Sequence, residues 1–245
     1  MSDKKFYRLA ARLLFAIPAI FLTGTLVVLL TRYIFYLYHA DYFVHHYPTI
    51  SRAAAFAPSS YFFTCGILVT VLFIITSWLL GYFYRKHVIM EVAENRWLLR
   101  LNNIEVFLGV AAAIFLALLA IINSEMNGHL HEMFSIAFFS LQIAAFVMDT
   151  LMWKLLCSKG AIIQGTTEYR NGVRRIYIFV VLFIAAAIFL GLYLVSEFDL
   201  ASGNALLKRA FFITEYTVAI LCFAYALPYY SEIKKHYRKL ADQAR

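Results

Sequence analysis

Six apolar stretches, nearly free of charge and each close to the roughly twenty residues that cross a bilayer, divide this sequence and leave few folds open to it. They run over 13–38, 61–84, 104–122, 133–153, 176–195 and 210–229. Hydrocarbon offers no partner to a backbone N–H or C=O, so such segments cross as α-helices that satisfy their own backbones. A soluble fold fails on composition. With 63% hydrophobic and 15% charged residues, the chain has too little polar surface to cover a water-facing exterior. The reading is all-α: one polytopic domain over 1–245, a bundle of six transmembrane helices. The first stretch lacks a small-residue cleavage site and is expected to remain as the first helix.

The connectors set an orientation. Lysine and arginine number four in the N-terminal tail, four after span two, five after span four and five in the C-terminal tail. The other three connectors hold only Arg52, Lys208 and Arg209. By the positive-inside rule both termini are cytoplasmic, and the loops after spans one, three and five face the lumen or the outside. The net charge of +8 therefore describes topology and contact with anionic headgroups rather than a nucleic-acid surface. Tyr33, Tyr36, Tyr38, Tyr82, Tyr84, Tyr229 and Tyr230 gather at span ends, as an interfacial aromatic belt does. Cys65, Cys157 and Cys222 lie in or beside apolar runs and read as packing residues, with Cys157 also a palmitoylation position.

Polar groups inside spans carry the most information, because a charge in lipid must be paired or hydrated. Arg32 in span one and Glu215 in span six lie at matched depth below the outer ends of their spans. They are expected to pair, either as a clamp or as the wall of a polar pocket. Asp149 and Glu105 sit near cytoplasmic ends, where helix-end solvation accounts for them. Gln142, near mid-span, is expected to bond a neighbouring helix. Gly109 and Ala113 have the small-xxx-small spacing that lets helices approach closely.

Five of the seven histidines, His39, His45, His46, His129 and His131, fall on the outer side near Asp41, Glu125, Glu132, Glu197 and Asp199. They are either interfacial residues or parts of an acid–base or metal site, and no spacing matches a zinc signature. Walker, GxSxG and dinucleotide fingerprints are also missing, so no cofactor is expected and no catalytic motif is legible. A membrane-embedded enzyme whose residues converge from several helices stays open.

The first outer loop reads Tyr47-Pro48-Thr49-Ile50-Ser51, then Ala53-Ala54, Pro58 and Phe62-Phe63. His131 precedes Phe138-Phe139, and span six carries Glu215-Tyr216-Thr217-Val218. Together these segments resemble the FRAG/DRAM/SFK-type six-span family. That family includes damage-regulated autophagy modulators, a yeast suppressor supporting a phosphoinositide kinase, and the post-GPI-attachment factor of the Golgi. The wording of span six and the compact length look most like the last. Ala55-Phe56-Ala57 departs from the glycines many members carry there.

The resemblance implies lipid or GPI-anchor lipid remodelling at the lumenal leaflet, in the Golgi or endoplasmic reticulum rather than the plasma membrane. Membrane lipids or GPI-anchored proteins would be the partners there, with anionic lipids at the cytoplasmic tails. Pro48, Ser51, Arg52, Arg32 and Glu215 would contact the substrate, with His131 as the acid–base group if the protein is an enzyme. Thr49 or Ser51 could equally cap a short helix, and Arg52 could simply be solvated. A non-enzymatic adaptor for phosphoinositide metabolism or autophagy, or a transporter or channel, are the alternative readings. The run Lys234-Lys235-His236-Tyr237-Arg238-Lys239 suits the adaptor.

Overall fold

Two prolines set the outline of the bundle. Pro18 and Pro228 each lack an N–H and crowd the carbonyl four residues earlier, at Leu14 and Ala224. The helix breaks at both places. Ile17 N–H turns back to the Leu14 carbonyl at 3.2 Å, and Leu227 N–H to the Ala224 carbonyl at 3.0 Å. Thus α1 (Asp3–Leu13) is separate from α2 (Ala16–Tyr38), and α9 (Ala205–Ala224) from α10 (Tyr229–Gln243). The computed structural model describes residues 3–45, 48–92, 95–197 and 205–243.

Between these lie α3 (Ala40–His45), α4 (Ile50–Ala53), α5 (Ser59–Val92), α6 (Arg96–Ile121), α7 (Gly128–Ser158) and α8 (Thr167–Glu197). Six helices are long and apolar enough to cross a membrane. Several overrun the apolar stretches by one or two turns, because an amphipathic extension keeps its helical hydrogen bonds outside hydrocarbon. At about 1.5 Å per residue, the 34 residues of α5 reach about 50 Å, well beyond a core of about 30 Å. Asn95 and Asn127 cap α6 and α7, accepting from Trp97 N–H at 2.9 Å and Leu130 N–H at 3.0 Å.

The spans form a closed ring, with α2 against α5, then α6, α7, α8, α9 and back to α2. Lipid supplies no hydrophobic drive between helices, so the ring is held by fit and by polar contacts. Fit is tightest at two glycines. A Cβ on Gly109 would stand 2.1 Å from the Trp78 indole, and one on Gly172 would stand 1.9 Å from Trp153. The close approach expected at Gly109 is therefore an indole laid over α6, while Ala113 is fully buried.

The termini share one end of the bundle. There α1 packs on α10 through Phe6, Tyr7 and Tyr237, and the Tyr237 hydroxyl donates to the Leu80 carbonyl at 3.1 Å. Tyr33, Tyr36 and Tyr38 are exposed in the manner of a belt. Tyr84 and Tyr229 are not: both are buried at the terminal end, and Tyr229 has a polar role described below.

Candidate functional site

At the opposite end, the loop between α2 and α5 folds inward over the ring. Pro48 is buried, and Thr49 caps the single turn of α4 by accepting from Arg52 N–H at 3.0 Å. The Ser59 hydroxyl donates to the Ala53 carbonyl at 2.6 Å and pins the loop to the start of α5. Helix capping at this turn thus falls to Thr49, and Ser51 is left for another contact.

That contact is His131. The imidazole is buried on α7, and its Nδ1 lies 2.8 Å from the Ile122 carbonyl, which only accepts. Nδ1 therefore carries the proton in the neutral ring, and Nε2 accepts from the Ser51 hydroxyl at 3.0 Å. Glu215 reaches up from α9 and accepts from Ile50 N–H at 2.8 Å, a carboxylate at the N-terminus of α4. Arg52 pairs with Glu125 through one guanidinium nitrogen and lies over Phe56 at 4.7 Å, while its buried Nε has no hydrogen-bond partner among the described residues.

Ser51, His131, Arg52, Glu215 and Pro48 thus converge, from parts of the chain more than 160 residues apart. The matched-depth ion pair does not form: among the described residues no salt bridge joins Arg32 to Glu215. Glu215 is drawn to the α4 backbone, and the Arg32 guanidinium lies 4.0 Å over the Phe212 ring and 5.7 Å from that of Tyr216. Stacking on aromatic faces stabilises a guanidinium in a low-dielectric site. His39 contacts the Ala57 carbonyl at 3.2 Å, while the side chains of His45, His46, Glu197 and Asp199 lie outside the described residues.

Chemically, Ser51 and His131 have the geometry of a hydroxyl and its base. Acyl transfer also needs free donors for a developing oxyanion. The Ile50 and Arg52 N–H groups are already committed to Glu215 and Thr49. The arrangement suits recognition of a polar headgroup better than covalent catalysis, with Arg52 as its cation.

A second polar centre, at the terminal end, is one that sequence reading missed. Asp149 and Glu105 are not solvated helix-end residues; they are 1% and 0% exposed. Arg85 donates to Asn102 at 3.0 Å and to Asp149 at 2.9 Å, and its other terminal nitrogen is 2.6 Å from Glu105. Arg175 contacts Asp149 at 3.2 Å and Glu232 at 2.8 Å, with its guanidinium 3.8 Å over the Tyr229 ring. The Tyr225 hydroxyl donates to Asp149 at 2.6 Å, and that of Tyr229 reaches the same carboxylate. Lysine and arginine at span ends were read only as topology signals, which hid Arg85 and Arg175. The available signal was that each basic residue had an acidic one at the same depth on another span.

The chain matches the family model described as the Frag1/DRAM/Sfk1/Cwh43P N-terminal domain over residues 10–236. It belongs to the Frag1/DRAM/Sfk1 family. The match runs from α1 into α10 and so takes in both polar centres. No curated protein and no solved structure gave a significant match. As a Frag1/DRAM/Sfk1 protein with six apolar helices, it is an integral membrane protein.

Proposed function

We propose that this Frag1/DRAM/Sfk1 protein acts in lipid remodelling, with GPI-anchor lipids as its substrate class, and binds its lipid at the α4 end from the lumenal leaflet. The observation that carries this is the Ser51–His131 hydrogen bond, which joins two segments 80 residues apart beside the guanidinium of Arg52. Ser51 and Arg52 contact headgroup oxygens, His131 holds the serine hydroxyl, and Glu215 fixes the turn that presents them. Arg32 packs the aromatic floor beneath. The test is lipid mass spectrometry of GPI-anchored proteins from endomembranes of cells lacking the chain, rescued with wild type, Ser51→Ala, His131→Ala or Glu215→Gln. Anchors with altered acyl chains, restored by wild type and not by the variants, are expected; unchanged anchors would remove this reading.

The adaptor reading has one observation in its favour. On α10 the face carrying Ile233 and Tyr237 is buried, while Lys235, Arg238 and Lys239 are exposed beside Lys5, Arg8 and Arg12 of α1. Such a surface attracts anionic lipid at about 1 kcal/mol per basic residue. Because α10 is docked, deleting it would damage the fold. Changing Lys235, Arg238 and Lys239 to glutamine tests the surface alone, and loss of phosphoinositide kinase recruitment with normal GPI anchors would favour the adaptor.

A further inference from the structure

A ring of six helices leaves a gap at its centre, and aromatic side chains fill most of it. Trp78 from α5 stacks near Phe146 from α7, which in turn stacks on Tyr225 with ring centroids 3.7 Å apart. A cavity of about 50 Å³ remains, faced by α2, α5, α7, α9 and the turn before α10. Ile20, Ile74, Phe138 and Phe223 give it an apolar wall. Ser77 and Gln142 line it with their polar groups uncommitted, Cys222 adds a thiol, and the Tyr225 and Tyr229 hydroxyls on the same wall are turned to Asp149. The interhelix bond expected of Gln142 is not made. The residue is 6% exposed, and its amide has no hydrogen-bond partner among the described residues.

A nine-tenths buried amide without a partner calls for a ligand or water. One water needs about 10–15 Å³ and two to four polar partners, so filling this cavity takes several waters and more partners than two side chains supply. Arg85 reaches the wall, but its charge is already balanced by Asp149 and Glu105, which leaves no cation for an anionic head. We infer that the central cavity binds the neutral polar end of a single-chain membrane amphiphile. A hydroxyl or ester carbonyl sits between Ser77 and Gln142, with hydrocarbon against Trp78 and Phe223. This site is separate from the α4 end and does not depend on the function proposed there.

The test uses the full-length protein in nanodiscs with a long-chain alcohol carrying a diazirine and an alkyne, and a fatty acid carrying the same groups as the charged control. After irradiation, the alcohol is expected on peptides containing Trp78, Gln142 or Phe223, and the acid is not. Gln142→Leu preserves bulk and removes the amide. It should cut labelling about fivefold to tenfold, the loss expected for one hydrogen bond of ordinary strength. Ser77→Ala provides the same readout should the leucine variant fail to fold. Alcohol labelling confined to lipid-facing residues such as Phe183 and Ile184 would overturn the inference. So would cavity labelling unchanged in both variants, or a wild-type cavity that holds water only.

Discussion

The two ring nitrogens of His131 are assigned by their neighbours, the Ile122 carbonyl and the Ser51 hydroxyl. Nδ1 of His131 is committed to Ile122, so the serine contact depends on Nε2. His131→Gln keeps one donor and one acceptor and should retain more lipid phenotype than His131→Ala, measured on the same anchors. At the other end, Asp149 accepts from two arginines and two tyrosines. Removing its charge takes the shared carboxylate from two buried arginines and leaves each with one acidic partner, Glu105 or Glu232, so Asp149→Asn should cost about 3–5 kcal/mol in unfolding measured in detergent. Gly109→Val places carbon where Trp78 stands and should cost about 1–3 kcal/mol in the same assay.

The elements show which signals sequence carried. Each long apolar run became a helix, because hydrocarbon leaves the backbone no other way to satisfy itself. The Thr49–Arg52 turn was legible as a capped segment, since cap chemistry is local; Ser51 was left open between cap and contact because its partner lies 80 residues away. Arg85, Glu105, Asp149 and Arg175 each looked like a span-end residue by itself. Their pairing was a property of helix rotation and register, which an apolar run without a moment does not reveal. Gln142 was legible as buried, but not as facing a void. The proline breaks make a prediction at this scale: Pro228→Ala should let α9 and α10 join as one helix, pull Glu232 from Arg175 and lower the thermal midpoint.

For the whole molecule, an even number of crossings and the packing of α1 on α10 put both termini on one side of the membrane. The charge asymmetry predicts that this side is the cytoplasm. A single cysteine placed at Met126 in an otherwise cysteine-free chain should be shielded from an impermeant maleimide in sealed vesicles whose cytoplasmic face is outward, while one at Lys239 should react. The reverse pattern would invert the bundle and move the α4 end to the cytosol.

The break at Pro18 has a consequence for synthesis as well as for shape. It frees α1 to lie along α10, so a helix made before the ring has its partner in one made after it. Until then Ala10 and Leu14 have no α10 surface to cover them, and Arg175 lacks Glu232. Assembly of this protein therefore cannot finish progressively from the N-terminus. Docking of α10 is thus the step that closes this part of the core, and a chain stopped after α9 leaves the α1 face uncovered.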